Sequence, residues 1–284
     1  MADPTSRTVL ITGCSTGIGR ATAEHLAGRG WTVYATARRP QTLTDLEAAG
    51  CRTLALDVTD EASMVAAVER VESDCGAVGV LVNNAGYSQS GPVEEVPIDD
   101  VRRQFETNVF GLVRMTQLVL PAMRRQGWGK IVNISSMGAN FTFPGGGFYH
   151  ATKHAVDALT DALRFEVKGF GIDVIIIQPG LIMTSFGDAA VGSMESATPP
   201  DGPYAEFNAK LAAATKGIYE EGPAAKLGGG PETVAKAIEK AITARRPKPR
   251  YLVTPSAHLL INQKRLMPDR VWDRFLRTQF PQPK

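Results

Sequence analysis

A chain of 284 residues, 43% hydrophobic and 21% charged, can bury one sizeable core and has the balance of a soluble globular protein. Its net charge of +2 gives no bulk attraction for a polyanion, so no nucleic-acid partner is expected. No apolar run approaches the roughly 18 residues that span a bilayer. The opening MADPTSRT lacks the basic-then-apolar pattern of a signal peptide, and Cys14, Cys51 and Cys75 lack metal-ligand spacing. A cytoplasmic protein with reduced, structural thiols and no metal is expected.

In chain order, Thr8–Thr12 (TVLIT) is a β-rich run that empties into Gly13-Cys-Ser-Thr-Gly17-Ile-Gly19, followed by helical periodicity from about Arg20 to Gly28. A strand, a glycine turn and a helix N-terminus together suit a phosphate, because the backbone can approach closely and the first N–H groups of the helix are unpaired. The spacing is G-x3-G-x-G rather than G-x-G-x-x-G, and a plain helix-entry turn is the alternative. Strands then follow at Trp31–Thr36, Arg52–Leu56, Val78–Val82, Ile131–Ile134 and Ile172–Ile177, and helices at Thr42–Ala49, Glu61–Asp74, Asp99–Gln126 and Tyr149–Lys168. The second strand ends in Ala37-Arg38-Arg39, the third at Asp57-Val58, and the fourth runs into Asn83-Asn84-Ala85-Gly86. Strand–helix repeats of this length predict a single-domain α/β protein, a doubly wound parallel sheet with helices on both faces.

The chemistry concentrates in residues 131–153, IVNISSMGANFTFPGGGFYHATK. Spacing four puts Tyr149 and Lys153 on one helical face, one turn apart. A tyrosine with an ordinary pKa of about 10 is neutral at pH 7, and a nearby ammonium favours its phenolate, which makes the pair a usable acid/base. The Ser136 hydroxyl can polarise the carbonyl oxygen that Tyr149 protonates. His150 and His154, four apart on the same helix, lack a third ligand and give no metal site.

Two regions break the rhythm. Residues 184–230 are rich in Gly, Ala and Pro, with scattered apolar residues (Phe186, Met194, Tyr204, Phe207, Leu211), and predict a substrate lid; a segment without structure is the alternative. From Pro231 a helix to about Ala244 and a strand at Arg250–Val253 resume the pattern. The C-terminal extension, about 254–284, interleaves apolar and basic residues and is split by Pro268. Packing on its own domain is the favoured reading, and peripheral contact with a membrane surface is the other.

Thr12-Gly13-x3-Gly17-Ile18-Gly19, Asn83-Asn84-Ala85-Gly86, Asn108, Ser136, Tyr149-x3-Lys153 and Pro179-Gly180 together resemble the short-chain dehydrogenase/reductase family. Ser136, thirteen residues before Tyr149, matches the family's serine, and Ser135 does not. The likeness covers about residues 7–184, and ITGCSTGIG, VYATARRP and NVFGLVRMTQ look like its hydroxysteroid and retinol dehydrogenase branch. The resemblance implies a Rossmann fold that binds a nicotinamide dinucleotide. Gly13, Gly17 and Gly19 would line the pyrophosphate turn, with Ile18 beside them. Asp57 and Val58 would meet the adenine, and Asn84, Ala85 and Gly86 would floor the adenosine. Tyr149 and Lys153 would reach the nicotinamide ribose, and Pro179, Gly180, Ile182 and Thr184 would hold the carboxamide end. Asn108 is implied to position a water that links Lys153 to solvent, and a mid-helix Asn that bends the chain is a compatible reading.

In such a site an acid at the end of the second strand selects NAD by bonding the ribose 2′-OH. Ala37-Arg38-Arg39 holds none, so NADP(H) is expected over NAD(H), with Arg38 on the 2′-phosphate and a hydroxyl from Ser15. The expected activity is hydride transfer to or from a lipophilic alcohol, ketone or aldehyde, because Phe141, Phe143 and Phe148 crowd the loop before Tyr149 and the lid adds Phe186, Tyr204 and Phe207. A β-ketoacyl thioester reductase and a catalytically idle dinucleotide-binding sensor are the alternatives. A homodimer or homotetramer is expected, with Val109, Leu112, Met115, Leu118 and Val119 as an interface stripe, although core packing explains the same residues.

Overall fold

The computed structural model of the protein describes residues 7–197, 202–220, 225–280 and 282–283. Residues 1–6 of the opening stretch, 198–201 and 221–224 of the expected lid, and 281 and 284 of the extension lie outside the described residues. Seven strands form one parallel sheet: β1 (Thr8–Ile11), β2 (Thr32–Ala37), β3 (Arg52–Ala55), β4 (Val80–Asn83), β5 (Gly129–Ile134), β6 (Ile172–Pro179) and β7 (Arg250–Val253). Their spatial order is β3-β2-β1-β4-β5-β6-β7. The central strands are rich in apolar residues because both faces of the sheet are covered, whereas the edge strand β3 is exposed or half-buried along its length.

Alternation along each strand sorts side chains into two core layers. Val9, Ile11, Val33, Val80 and Ile175 point to one face, where α1 (Gly17–Ala27) and α9 (Pro231–Thr243) cover them with Leu26, Val234 and Ile238. Leu10, Tyr34, Leu81, Ile131 and Val174 point to the other, under α3 (Glu61–Cys75) and α5 (Gly111–Gln126), which contribute Met64, Val68, Met115, Val119 and Met123. The stripe expected at a subunit interface is therefore largely core: Val109, Leu112, Met115 and Val119 are buried within the chain. A short α2 (Thr44–Ala48) links β2 to β3.

Several boundaries differ from the sequence reading. Helix α1 starts at Gly17, three residues early, so the glycine turn itself forms its first turn. The helix expected over Asp99–Gln126 is interrupted: α4 (Ile98–Phe105) passes through a π-helical turn, Glu106–Phe110, into α5. The lid contains two helices, α7 (Phe186–Ala197) and α8 (Ala205–Glu220). The tail forms α10 (Pro255–Leu266) and α11 (Asp269–Gln279), separated at Pro268 as its missing N–H and fixed φ require. Ala257, Ile261 and Trp272 are buried against Met137, Phe141 and Leu181, so the tail packs on the chain's own core, while Leu259, Leu266 and Val271 stay exposed. Among the described residues no helix is long and apolar enough to cross a membrane.

Candidate active site

The chain runs from β1 outward through β2 to β3 and then crosses to β4 on the other side of β1, and this reversal opens a crevice at the carboxyl ends of the strands. A cavity of about 810 Å³ occupies it. The glycine turn lines one end. Gly13 and Gly17 have φ of +73° and +62°, a region that disfavours side chains, and a Cβ on Gly13 would stand 2.9 Å from Ala85 Cα. The Thr16 N-cap makes no side-chain bond to the helix start, so the first N–H groups of α1 are uncapped beside the cavity. Thr12 Oγ1 accepts from the backbone N–H groups of Asn84 and Ala85, both at 3.0 Å. Asn84 Nδ2 donates to the Thr12 and Gly13 carbonyls at 2.9 and 3.0 Å, which ties the turn to the end of β4. Cys14, inside the turn, faces the core, and burial pushes its thiol up to about 12. A glycine cradle with a free helix N-terminus fits a pyrophosphate without side-chain help.

At the end of β2, Ala37 and Arg38 are on the cavity wall and Arg39 is not. Arg103 of α4 reaches the same cavity and pairs with Asp100. Tyr87 lies in the field of both cations: burial raises its phenol, and Arg103 and Arg38 pull the other way. Asp57 lines the cavity with its carboxylate already engaged, since Oδ1 accepts from Thr59 N–H at 3.0 Å and from Thr59 Oγ1 at 2.8 Å.

The reacting end is built by β5 and α6 (Gly147–Glu166). Ser136 follows β5 and caps a 3₁₀ turn, Met137–Ala139, by accepting the Gly138 N–H at 3.0 Å. Tyr149 and Lys153 share one face of α6, with Lys153 Nζ 5.7 Å from the centre of the tyrosine ring. The lysine is buried and donates to the Ile134 carbonyl at 2.8 Å. Desolvation pushes its pKa down to about 8, against the pull of the Asp157 carboxylate one turn on. A buried polar ladder fixes α6 on the sheet: Asn83 Nδ2 donates to Asn133 Oδ1 at 2.9 Å, and Asn133 Nδ2 donates to Thr160 Oγ1 at 2.9 Å.

Of the residues singled out in the sequence, Gly13, Ser15, Gly17, Ile18, Arg38, Asp57, Val58, Asn84, Ala85, Gly86, Ser136, Tyr149, Lys153, Pro179, Gly180, Ile182 and Thr184 all line this one cavity. Gly19 and Asn108 do not. A Cβ on Gly19 would meet the Gly13 carbonyl oxygen at 2.4 Å, so this glycine serves the close packing of α1 on the turn. Asn108 is buried in the π-helical turn: Oδ1 accepts the Tyr87 N–H at 3.1 Å, while Nδ2 donates to the Tyr87 carbonyl at 2.9 Å and to Thr152 Oγ1 at 3.1 Å. Those bonds account for the break in the helix, since they hold one residue out of the regular ladder. Among the expected aromatics, Phe141, Phe143 and Phe186 reach the cavity, and Phe148, Tyr204 and Phe207 do not.

Sequence reasoning missed three features. Ser88 and Ser90, hydroxyl to hydroxyl at 3.0 Å, line the cavity just past β4, a place that the rule of ligands at strand carboxyl ends points to. His150, weighed only as a metal ligand, places Nδ1 2.9 Å from the Gly138 carbonyl and so braces the turn that carries Ser136. Burial lowers its pKa to about 4. Phe280, at the end of the tail, forms part of the wall, and no local pattern announces it. The lid is tied down on the far side: Tyr204 Oη donates to Glu94 at 2.7 Å, Asn208 Nδ2 to Glu95 at 3.2 Å, and the Ser90 N–H to Ser193 Oγ at 3.0 Å.

Comparison with known proteins agrees with this geometry. The family profile described as short chain dehydrogenase matches residues 7–193. An NADPH-dependent 3-dehydrocapnine reductase of Ornithobacterium rhinotracheale is 36% identical over 279 residues, covering 94% of this chain and 95% of that one. A 3-ketodihydrosphingosine reductase of Bacteroides thetaiotaomicron is 37% identical over 271 residues, covering 95% and 96%. A short-chain dehydrogenase from Streptomyces avermitilis superposes with a TM-score of 0.79 at 34% identity, over 95% of this chain and 94% of that one. With the sheet order, the glycine turn and the Ser–Tyr–Lys grouping already in hand, a match over this length makes the chain a member of the short-chain dehydrogenase/reductase family, the NAD(P)-dependent oxidoreductases.

Proposed function

We propose that the protein is an NADP(H)-linked carbonyl reductase, or alcohol dehydrogenase in reverse, for a lipophilic substrate. The observation that carries the reading is the grouping of Ser136, Tyr149 and Lys153 on one cavity that also receives the glycine turn, Arg38 and an apolar wall of Phe141, Phe143 and Phe186. Two relatives are named as reductases of a 3-dehydro and a 3-keto compound, one of them NADPH-dependent, which supports ketone reduction as the chemistry and NADPH as the cofactor. When bound, the nicotinamide supplies or accepts the hydride.

Everything else falls to the chain. Ser136 donates a hydrogen bond to the substrate oxygen and fixes its position, while its own oxygen accepts from Gly138. Tyr149 gives that oxygen its proton in reduction and takes it back in oxidation. The Lys153 ammonium, held at the Ile134 carbonyl, favours the tyrosine's charged form and anchors the cofactor ribose. Asn108 belongs to a water-mediated relay that returns the proton to Tyr149 through Lys153, and its bonds to Thr152 and Tyr87 hold the π-helical turn against α6 and the segment after β4. Gly13, Gly17 and the α1 N-terminus take the pyrophosphate, and Arg38 takes the 2′-phosphate. The chain works as one domain, in the cytoplasm, where its thiols stay reduced.

The test is a panel of steroids, retinoids, fatty aldehydes, long-chain ketones and ketoacyl thioesters with NADPH, run on wild type and Tyr149→Phe. Wild type should favour a free lipophilic carbonyl, and the variant should lose at least about 100-fold in turnover with little change in cofactor affinity. A thioester preference would assign the enzyme to carrier-bound ketones. Near-normal turnover in the Phe variant would overturn the mechanism.

A further inference from the structure

We propose that Phe280, at the end of the C-terminal tail, is the end wall of the substrate cavity and sets the length of alkyl chain the enzyme accepts. The proposal deepens the reading of a lipophilic substrate and rests on it. A succession of ring contacts leads away from the proton donor. Tyr149 stands 5.7 Å from the His150 ring, His150 6.0 Å from Phe143, and Phe143 5.3 Å from Phe280. Phe143, Met194 and Phe280 all lie on the cavity wall. Behind them Phe207 and Leu211 of α8 complete a buried apolar cluster with Met194 and Phe280. Three segments remote in sequence thus meet at one point: the loop before α6, the lid and the tail.

Phe280 is held there by the rest of the tail and not by its own contacts alone. Its N–H donates to the Leu276 carbonyl at 2.9 Å, the last turn of α11. Helix α11 is anchored by Trp272, whose ring lies 5.5 Å from Phe141 and stacks at 6.5 Å on Phe143. The loop aromatic that faces the cavity is therefore clamped between the tail's anchor and the tail's end. Phe143, Met194, Leu211 and Phe280 at this end are hydrocarbon or thioether, so they recognise methylenes. Polar parts of a substrate belong at the other side, near Ser136, Ser88 and Ser90. A straight alkyl chain attached to the reacting carbonyl is the ligand that fits this division.

The experiment measures kcat/KM with NADPH over straight-chain methyl ketones of rising length, for wild type, Phe280→Ala and Phe280→Trp. Removing the ring should move the optimum to longer chains, with each newly admitted methylene raising kcat/KM up to about fourfold. The larger indole should move it to shorter chains. NADPH affinity and the thermal midpoint report that both variants are folded, and the two opposed shifts separate a wall from general damage. A wild type with a clear length optimum that neither variant moves refutes the end wall alone, as does an equal loss at every length. A wild type that turns over no ketone of the series refutes the substrate reading, and the end wall falls with it.

Discussion

His150 offers a stability measurement whose sign and size follow from where it lies. Its ring is 8% exposed, with Nδ1 at the Gly138 carbonyl, and burial takes its pKa from 6.5 to about 4, with the His154 charge adding in the same direction. The folded protein therefore keeps this imidazole neutral at pH values where the unfolded chain protonates it. Its contribution is whole above pH 6.5 and is lost as pH falls through the folded value. Linkage between those two values gives a loss of about 2 kcal/mol by pH 5 and about 3 kcal/mol by pH 4. Net stabilities of about 5–15 kcal/mol make such a loss easy to read. Urea unfolding of wild type and His150→Asn from pH 7.5 to pH 5 isolates it, since other titrating groups are common to both. Asparagine keeps an N–H donor for Gly138 but cannot titrate. The variant should be less stable at pH 7.5, and its stability should fall by about 2 kcal/mol less on acidification. Parallel pH profiles would show that burial of this histidine carries no linked proton, and the reasoning would fail.

The proposed role of Arg38 in cofactor choice is tested by substitution. Arg38→Leu should cut kcat/KM with NADPH about ten- to a hundredfold, the size of a charge-assisted pair, with NADH nearly unchanged, and the NADPH advantage should shrink as salt rises. Ala37→Asp should turn the preference toward NADH, and a wild type that already prefers NADH would refute the assignment. For self-association, Phe110, Leu159, Phe165 and Phe170, on and beside α5 and α6, are 54%, 44%, 85% and 47% exposed. A dimer or tetramer should bury them, so light scattering of wild type at micromolar concentration should give a closed oligomer and Phe165→Glu should weaken it. A wild-type monomer of 30.4 kDa would end that idea.

The sheet was legible because its central strands hold apolar runs bounded by turn residues, and most site residues were legible because they sit where those runs end. Gly13, Asn84, Ser136 and Pro179 lie at or just past the carboxyl ends of β1, β4, β5 and β6, so locating the strands locates the cavity. What escaped depends on partners far along the chain. A bend at Asn108 was legible from an asparagine in mid-helix, but its π-helical form and the partners that hold it, Tyr87 and Thr152, were not. His150 acquires its role from a carbonyl twelve residues earlier. The lid's Gly- and Ala-rich composition hid two helices whose inward faces, Met194 and Leu211, are defined only once Phe280 arrives to pack on them. Tyr204 and Phe207 looked like pocket aromatics because burial by a neighbour and burial by a ligand favour the same side chains.

The anchoring of the lid bears on how this scaffold can be re-engineered. The bonds from Tyr204, Asn208 and Ser193 run to Glu94, Glu95 and Ser90, in the segment that leaves β4, whereas Ser136, Tyr149 and Lys153 stand on β5 and α6. Lid and β4 segment are therefore tied as one unit, which also meets the proton donor, where Phe186 packs 5.3 Å from the Tyr149 ring, and the tail, where Met194 and Leu211 pack with Phe280. A graft that brings in a foreign 186–220 without its matching 88–95 leaves Glu94 and Glu95 facing the wrong surface. Recombination that keeps the two pieces together preserves these polar ties, and the fit at Tyr149 and at the tail is kept only where Phe186 and the partners of Phe280 are carried over as well.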